Sequence, residues 1–232
     1  MGRAKEIKVK VIPSKIANAF VKKHHYSGKV VPNSTLHFGC FLDGKLHGVM
    51  QYGHSINKKG TINLVKGTKW NGFIELNRMA FDDYLPKYSE SRCIAVSIKL
   101  IKKHAPHIKW IISFADGTQC GDGTIYRASG FKLVGIVNNT ALRINPKTGE
   151  AMHVIQAHHL KISSEFRGWK PFKGKQLKYV YLIDKTMQIN KEILPFSEID
   201  RQGAGMYKGE KITLAKRQGL NKSGEVDLNS NS

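Results

Sequence analysis

The sequence predicts a mixed α/β domain, with a mixed central sheet flanked by helices and a polar C-terminal tail. Three observations lead there. Alternating and helical hydrophobic patterns take turns along the chain. The apolar run WIISF at 110–114 is continuous, as a central strand buried on both faces requires. Residues 73–114 read as strand, helix, strand, the pattern of a parallel crossover. The chain has 232 residues, 41% hydrophobic and 24% charged, an ordinary globular composition. No run of about 18 apolar residues occurs, so no membrane span is expected. MGRAKEIKVKVIPSK has no apolar stretch of the kind that marks a secretory signal.

Each element follows from local chemistry. KEIKVKVI (5–12) alternates polar and apolar and reads as a strand. Pro13 and Ser14 open a helix over 14–24, with Ile16, Ala19, Phe20 and Val21 expected on its buried face. HHYSG (24–28) closes it. LHFGCFL (36–42) and LHGVMQYG (46–53) form a hairpin across Asp43-Gly44. A basic loop, 54–69, carries Lys58, Lys59, Lys66 and Lys69, and FIELNRMA (73–80) is the next strand. Ser89 or Ser91 is expected to cap a helix over 91–104 that buries Ile94, Ile98 and Ile101. TIYRAS is a short helix ended by Gly130, and FKLVGIV (131–137) is a strand. Strand-like pieces at 140–145 and 151–155 precede a last strand, LKYVYLI (177–183). Beyond about residue 195 the chain turns polar and Gly-rich, and a largely disordered tail is expected.

Lys and Arg number 38 and Asp and Glu 17, a formal net charge of +21. Residues 185–232 hold eight basic and six acidic side chains, so +19 lies on residues 1–184. The charge therefore sits on the folded body rather than on a detachable arm. A polyanion such as double-stranded DNA is the expected partner, bound with strong salt dependence. The cysteines are Cys40, Cys93 and Cys120. Their odd number and the lack of any Cys-x-x-Cys argue against a disulfide framework or a structural zinc site, and fit the cytoplasm. The pattern His-x-Glu with Pro-Cys-x-x-Cys is absent, as is a Gly-x-x-x-x-Gly-Lys phosphate loop, which sets aside nucleobase deaminases and P-loop enzymes.

In open α/β sheets the ligand crevice lies beyond the carboxyl ends of the central strands. Here those ends are the segments after Arg78 and after Phe114. Asp116 sits in the second, in a Gly-flanked loop, and Asp122 nearby reads as structural. YRASGF (126–131) resembles the way GCN5-related N-acetyltransferases close their acyl site. Their pyrophosphate loop, Gln/Arg-x-x-Gly-x-Gly/Ala, is replaced by PKYSESR. Backbone N–H groups at that helix start, with Ser89, Ser91 and Arg92 beside them, remain candidates for an anion.

Three longer stretches are more specific: KKHHYSGKVVPNSTLHFG, ELNRMAFDDYLPKYSESR and FADGTQCGDGTIYRASGF. Together they resemble the Mom family of bacteriophage DNA-modification proteins over most of 15–165. The resemblance implies a GNAT-like catalytic domain over 1–184 with an extension over 185–232. It implies conversion of adenine in phage DNA to N6-carbamoylmethyladenine, protecting that DNA from host restriction in the bacterial cytoplasm. It carries a general-acid role to Tyr126 and raises His25 and Tyr26 to site candidates, with Asp116 as their catalytic companion. It also permits an iron site of His25, Tyr26, Asp116 and Tyr126, an oxygen and imidazole set. Arg78 is a candidate for gripping a phosphate or carboxyl, the alternative being an ion pair with Asp82 or Asp83. The implied donor is an activated acyl unit, either acetyl-CoA or a glycyl donor such as glycyl-tRNA, which makes tRNA a second candidate partner. Trp70, Trp169 and Phe172 lie among lysines, where an aromatic ring can stack on a displaced base. His158-His159 reads as surface. An acyltransferase acting on another acceptor and a non-catalytic DNA-binding protein remain the alternatives.

Overall fold

The computed structural model describes residues 2–117, 121–138, 142–149, 151–171, 174–202, 204, 206–207 and 210–211. The chain divides into two compact units. The first comprises Met1–Phe114, Gly123–Gly135 and Lys178–Pro195, and the second Ala115–Asp122, Ile136–Leu177 and Phe196–Ser232.

The first unit is organised by a mixed sheet flanked by helices. In chain order the elements are β1 (Lys8–Val11), α1 (Ser14–His24), β2 (Ser34–Leu42), β3 (Lys45–Gly53), α2 (Lys58–Ile62), β4 (Phe73–Phe81), α3 (Ser89–His104), β5 (Trp110–Asp116), α4 (Thr124–Ala128) and β6 (Lys132–Asn138). β7 (Leu142–Ile144), β8 (Ala151–His153), α5 (Val154–His159), α6 (Ser163–Arg167), β9 (Lys170–Pro171), β10 (Lys175–Leu182) and α7 (Ser197–Arg201) follow. The large sheet runs β1-β2-β3-β4-β5-β10-β6. β1 through β4 pair antiparallel, and β4 pairs with β5 in parallel across α3, the expected crossover.

Local sequence explains these elements. Asp43 (φ 50°) and Gly44 (φ 77°) both adopt the left-handed conformation, which gives the β2–β3 hairpin its tight turn. Trp110, Ile111 and Ile112 are fully buried, as a doubly covered strand requires. Trp110 stacks on Phe73 at 4.5 Å, and its indole N–H donates to Thr68 at 2.9 Å. α3 buries Ile94, Ile98 and Ile101 as its periodicity predicts. Tyr52 on β3 meets Ser97 on α3 at 2.7 Å between their hydroxyl oxygens, in the fully buried layer beneath that helix. The buried Cys40 and Cys93 thiols lie against each other there, and that contact together with burial pushes the Cys40 thiol well up.

Several expectations need correction. α1 buries Ala17 and Val21, whereas Ile16 is 48% exposed and Ala19 faces solvent. Val21 is buried as expected, and Phe20 packs half-buried against the cluster of Ile12, Ala17, Val21, Val49 and Ala80. α3 begins at Ser89, and neither serine caps it by hydrogen bond. The position before the helix is Tyr88, in the left-handed conformation (φ 71°). The basic loop contains a helical turn, α2, capped by the Asn57 side chain on the Gly60 N–H. Asp116 is the last residue of β5 rather than part of a loop.

In the second unit, β7 pairs with β8 and β9, and Met152, Ala157, Phe166 and Trp169 form a small core. Trp169 is therefore a core side chain, not a stacking surface. Arg143 ties this core together by donating to the carbonyls of Arg167 (2.7 Å) and Trp169 (3.0 Å). His158 is exposed at the end of α5, in line with its surface reading. The stretch after 195 is not a free tail throughout: α7 forms, and Ile199 and Ala204 are fully buried. Phe172 and Cys120 lie outside the described residues.

The burial pattern makes a paired prediction. Ile94→Ala should cost about 2–5 kcal/mol of unfolding free energy. Ile16→Ala should stay within about 0.5 kcal/mol of the parent. Equal losses in urea unfolding would contradict the α1 register.

Candidate functional site

The site is built around the middle of β4. The parallel ladder runs from Phe73–Trp110 to Leu76–Ser113 and ends there. Ser113 Oγ donates to the Leu76 carbonyl at 3.2 Å at its last rung. On its other side β4 carries a bulge: Gln51 faces Arg78 and Tyr52 faces Leu76, so Asn77 is the extra residue. A bulge bends a strand and re-aims its side chains. β4 therefore leaves β5 where the polar residues of FIELNRMA begin.

On the α1 side of the sheet, this bend faces the loop after α1. The Arg78 guanidinium donates to the carbonyls of Lys29 (3.3 Å) and Asn77 (2.9 Å). It does not pair with Asp82 or Asp83. Asp82 instead meets His47 Nδ1 at 2.9 Å, and the His47 ring stacks on Tyr84 at 4.2 Å. His25 is half-buried and its ring lies 4.2 Å from that of Tyr26, which is exposed. The backbone N–H of Ser27 donates to His25 Nδ1 at 3.1 Å, and the Ser27 hydroxyl sits 2.8 Å from the same atom. An Nδ1 that accepts a hydrogen bond leaves the ring proton on Nε2. Burial, and then the positive charge of Arg78, lower the imidazole pKa to about 4. His25 is thus a neutral ring presenting an Nε2–H donor.

Sequence reasoning missed two neighbours of Arg78. Glu75 is half-buried, and that burial raises its pKa against the pull of Ser55, Asn77 and Arg78. The Asn77 side chain accepts from Ser34 Oγ at 3.1 Å. Gly53, opposite Glu75, packs so closely that a β-carbon would overlap the Asn33 carbonyl. The available signal was Glu75 and Asn77 alternating with Ile74 and Leu76 in a strand that had to be central.

Tyr126 approaches from the α3 side. It is half-buried on α4, with ring neighbours Phe131 at 5.5 Å and Tyr179 at 5.4 Å. A phenolate at Tyr126 would repel charge on Tyr52, which burial already holds well above the usual phenol range. Gly123 (φ 72°) precedes the helix, and a β-carbon there would lie 2.6 Å from the Tyr179 ring. Gly130 (φ 82°) lets the chain turn into β6, with the Phe131 N–H donating to the Tyr126 carbonyl at 3.0 Å. Asp116 is half-buried in the second unit, where the next N–H, Gly117, donates to the Lys175 carbonyl at 2.8 Å.

At the start of α3, the Ser89 and Ser91 hydroxyls donate back to the carbonyls of Pro86 and Tyr88. What that turn can offer an anion is its backbone N–H groups and Arg92. The glycines of the usual pyrophosphate loop are absent, but Tyr88 keeps a glycine-like left-handed conformation at this point.

In this conformation both ring nitrogens of His25 are engaged or protonated. Nδ1 is occupied by Ser27, Nε2 carries the proton, and Arg78 adds positive charge beside the ring. Among the described residues no group of three or more His, Cys, Asp and Glu side chains could hold a metal.

The family model of the Mom protein family matches residues 6–198. The chain belongs to that family. It is 36% identical over 159 residues to the methylcarbamoylase Mom of Escherichia phage Mu, an alignment covering 68% of this chain and 64% of the relative. The chain thus spans less than two thirds of that relative's length. Solved structures similar to it include a Bacillus subtilis acetyltransferase in complex with CoA, 10% identical with a TM-score of 0.46, covering 76% of this chain and 98% of that one. An N-acetyltransferase from Staphylococcus aureus is 11% identical with a TM-score of 0.47, covering 77% and 99%. Among the described residues no helix is long and apolar enough to cross a membrane.

The His25 environment predicts a pH effect. The free imidazole titrates near 6.5 and the folded one at about 4. Between these values the unfolded chain binds more protons, so stability is complete above pH 6.5 and falls as pH drops towards 4. Melting temperature should therefore fall more steeply over that window in the parent than in His25→Gln. Parallel curves would contradict the neutral buried ring.

Proposed function

We propose that the chain is a transferase that converts adenine in double-stranded DNA to N6-carbamoylmethyladenine. It would act in the cytoplasm of the bacterial host and protect phage DNA from restriction. One observation carries the reading: β4 parts from β5 with His25, Arg78 and Glu75 on one side and Tyr126 on the other. A group-transfer site needs two substrates to meet, and this opening offers each its own approach. Membership of the Mom family, the name of the phage Mu relative and the +19 on residues 1–184 support DNA as the acceptor.

The target amine lies inside the base stack, so the base must be flipped or the duplex opened, at a cost of a few kcal/mol. His25 Nε2–H and Arg78 are donors suited to a base edge or its phosphate. The adenine amine attacks the donor carbonyl, whose developing oxyanion is held by backbone N–H groups. Glu75 takes the amine proton, and Tyr126 protonates the leaving group. Ser91 and Arg92 at the start of α3, with buried Ser89 shaping the turn, are the groups we assign to the donor's phosphates.

The product group, –CH2–C(O)NH2, carries a nitrogen that an acetyl unit lacks. A glycyl donor such as glycyl-tRNA supplies it. Glycyl transfer to N6 expels the donor hydroxyl. The glycyl α-amine then attacks C6, the original N6 departs as the amide nitrogen, and all atoms are retained. Acetyl-CoA would leave N6-acetyladenine.

Nucleoside mass spectrometry of plasmid DNA from expressing cells should detect an adenine adduct of carbamoylmethyl mass. Tyr126→Phe should lower it about 100-fold or more. Unmodified DNA beside soluble, folded protein would overturn the reading.

A further inference from the structure

Three segments of the first unit are bonded into one surface. Val65 bridges Ile189, and the Asn190 N–H donates to the Leu64 carbonyl at 2.8 Å. Lys66 donates to Gln188 through both its backbone N–H (2.9 Å) and its Nζ (3.1 Å). The Lys109 N–H donates to the Gly72 carbonyl at 2.7 Å, and the Lys109 carbonyl accepts from Ile183 and Asp184, each at 2.9 Å. Residues 54–72, 102–110 and 181–190 are thus fixed relative to one another. Together they hold eight lysines and one carboxylate, Asp184. Asp184 is already engaged by Thr186 and by Lys109, whose Nζ lies 3.5 Å away.

A cavity of about 360 Å³ opens on this surface, with Lys102, Lys109 and Lys185 around an apolar floor of Ile108 and Ile183. Trp70, two residues before the Gly72 carbonyl that accepts from Lys109, is 53% exposed. Lys58 Nζ lies 4.5 Å from the Trp70 ring centre and donates to Asn71 at 2.9 Å, which holds the ammonium over one part of the indole. An exposed indole costs solubility, and a rigid lysine face costs charge repulsion. Both are relieved by one class of ligand, a polyanion with a free aromatic face.

We propose that this surface is a second nucleic-acid contact, with the lysines on the phosphates and Trp70 stacked on one unpaired base. A base inside a duplex has no free face, so the occupant is a single-stranded stretch. We assign it to a strand of opened DNA, the nucleic acid that the proposed function brings to this protein. The surface lies at the end of the sheet where β4 and β5 begin, about 17 Å along β4 from Arg78 at 3.3 Å per residue. It is therefore separate from the place where the amine reacts. The assignment rests on the proposed nucleic-acid function but not on its chemistry.

The test is fluorescence anisotropy with a single-stranded DNA 20-mer, the same sequence as duplex, and an RNA hairpin with an unpaired 3′ end. Trp70→Ala should weaken single-strand binding about 5- to 100-fold and duplex binding little, and Trp70→Phe should restore most of it. Replacing Lys66 and Lys69 with Gln should lower the salt slope for the single strand by about 0.7 for each phosphate that is no longer neutralised. A weakening seen with the DNA strand supports the opened target, and one confined to the hairpin overturns that assignment. Ile16→Ala, at an exposed position of α1, should bind all three like the parent. Unchanged binding by Trp70→Ala overturns the surface, even if the adenine adduct forms. Weakened binding by Trp70→Ala without any adduct keeps the surface and overturns the chemistry.

Discussion

The parallel ladder between β4 and β5 lasts four residues and then stops, and the bulge at Asn77 bends β4 at that point. A doubly covered strand normally excludes polar side chains, because an unpaired buried polar group costs about 1–3 kcal/mol. Once the ladder ends, backbone and side chains need other partners. Arg78 takes the carbonyls of Lys29 and Asn77, and Asn77 takes Ser34. The same bonds that satisfy the bend draw the loop after α1 onto the sheet. His25 is then half-buried beside Arg78, and burial first and that positive charge second hold it neutral. The polar centre follows from how the sheet is interrupted.

The positive charge has a structural consequence too. At neutral pH the folded body carries charge that repels itself, which lowers stability in the absence of a partner. Part of that charge is concentrated on three segments with one carboxylate between them, locked by backbone bonds rather than spread over mobile loops. Lysines on a fixed backbone lose only side-chain freedom on meeting a phosphate chain. Salt should therefore affect affinity more than it affects the fold, whose apolar centre at Phe73, Trp110 and Ile112 carries no charge.

Much of the frame was legible in the sequence. WIISF, the Asp43-Gly44 turn and the Ile94, Ile98, Ile101 stripe each encode a local rule that the packing keeps. The α1 face was read correctly at Phe20 and Val21 but not at Ile16 and Ala19, because the exact buried face of an amphipathic helix depends on the sheet beneath it. The serine cap was misjudged because the Ser89 and Ser91 hydroxyls donate backwards and Tyr88 supplies the turn. Of the candidate site, motifs pointed to His25, Tyr26 and Tyr126, and a central strand end pointed to Arg78. Glu75 and the Asn77 bulge were not found, since a bulge is a register relation between strands that no single segment displays. The long polar C-terminal stretch hid Ile199 and Ala204, two apolar residues whose burial needs partners distant in sequence.

Photocrosslinking tests most directly whether adenine reaches the bend in β4. Duplex DNA carrying a photoreactive azido-adenine at the target position would be irradiated with the protein, and the crosslinked peptides identified by mass spectrometry. The account predicts crosslinks within residues 24–30 and 75–79. Crosslinks that avoid both segments, with the DNA nonetheless bound, would contradict it.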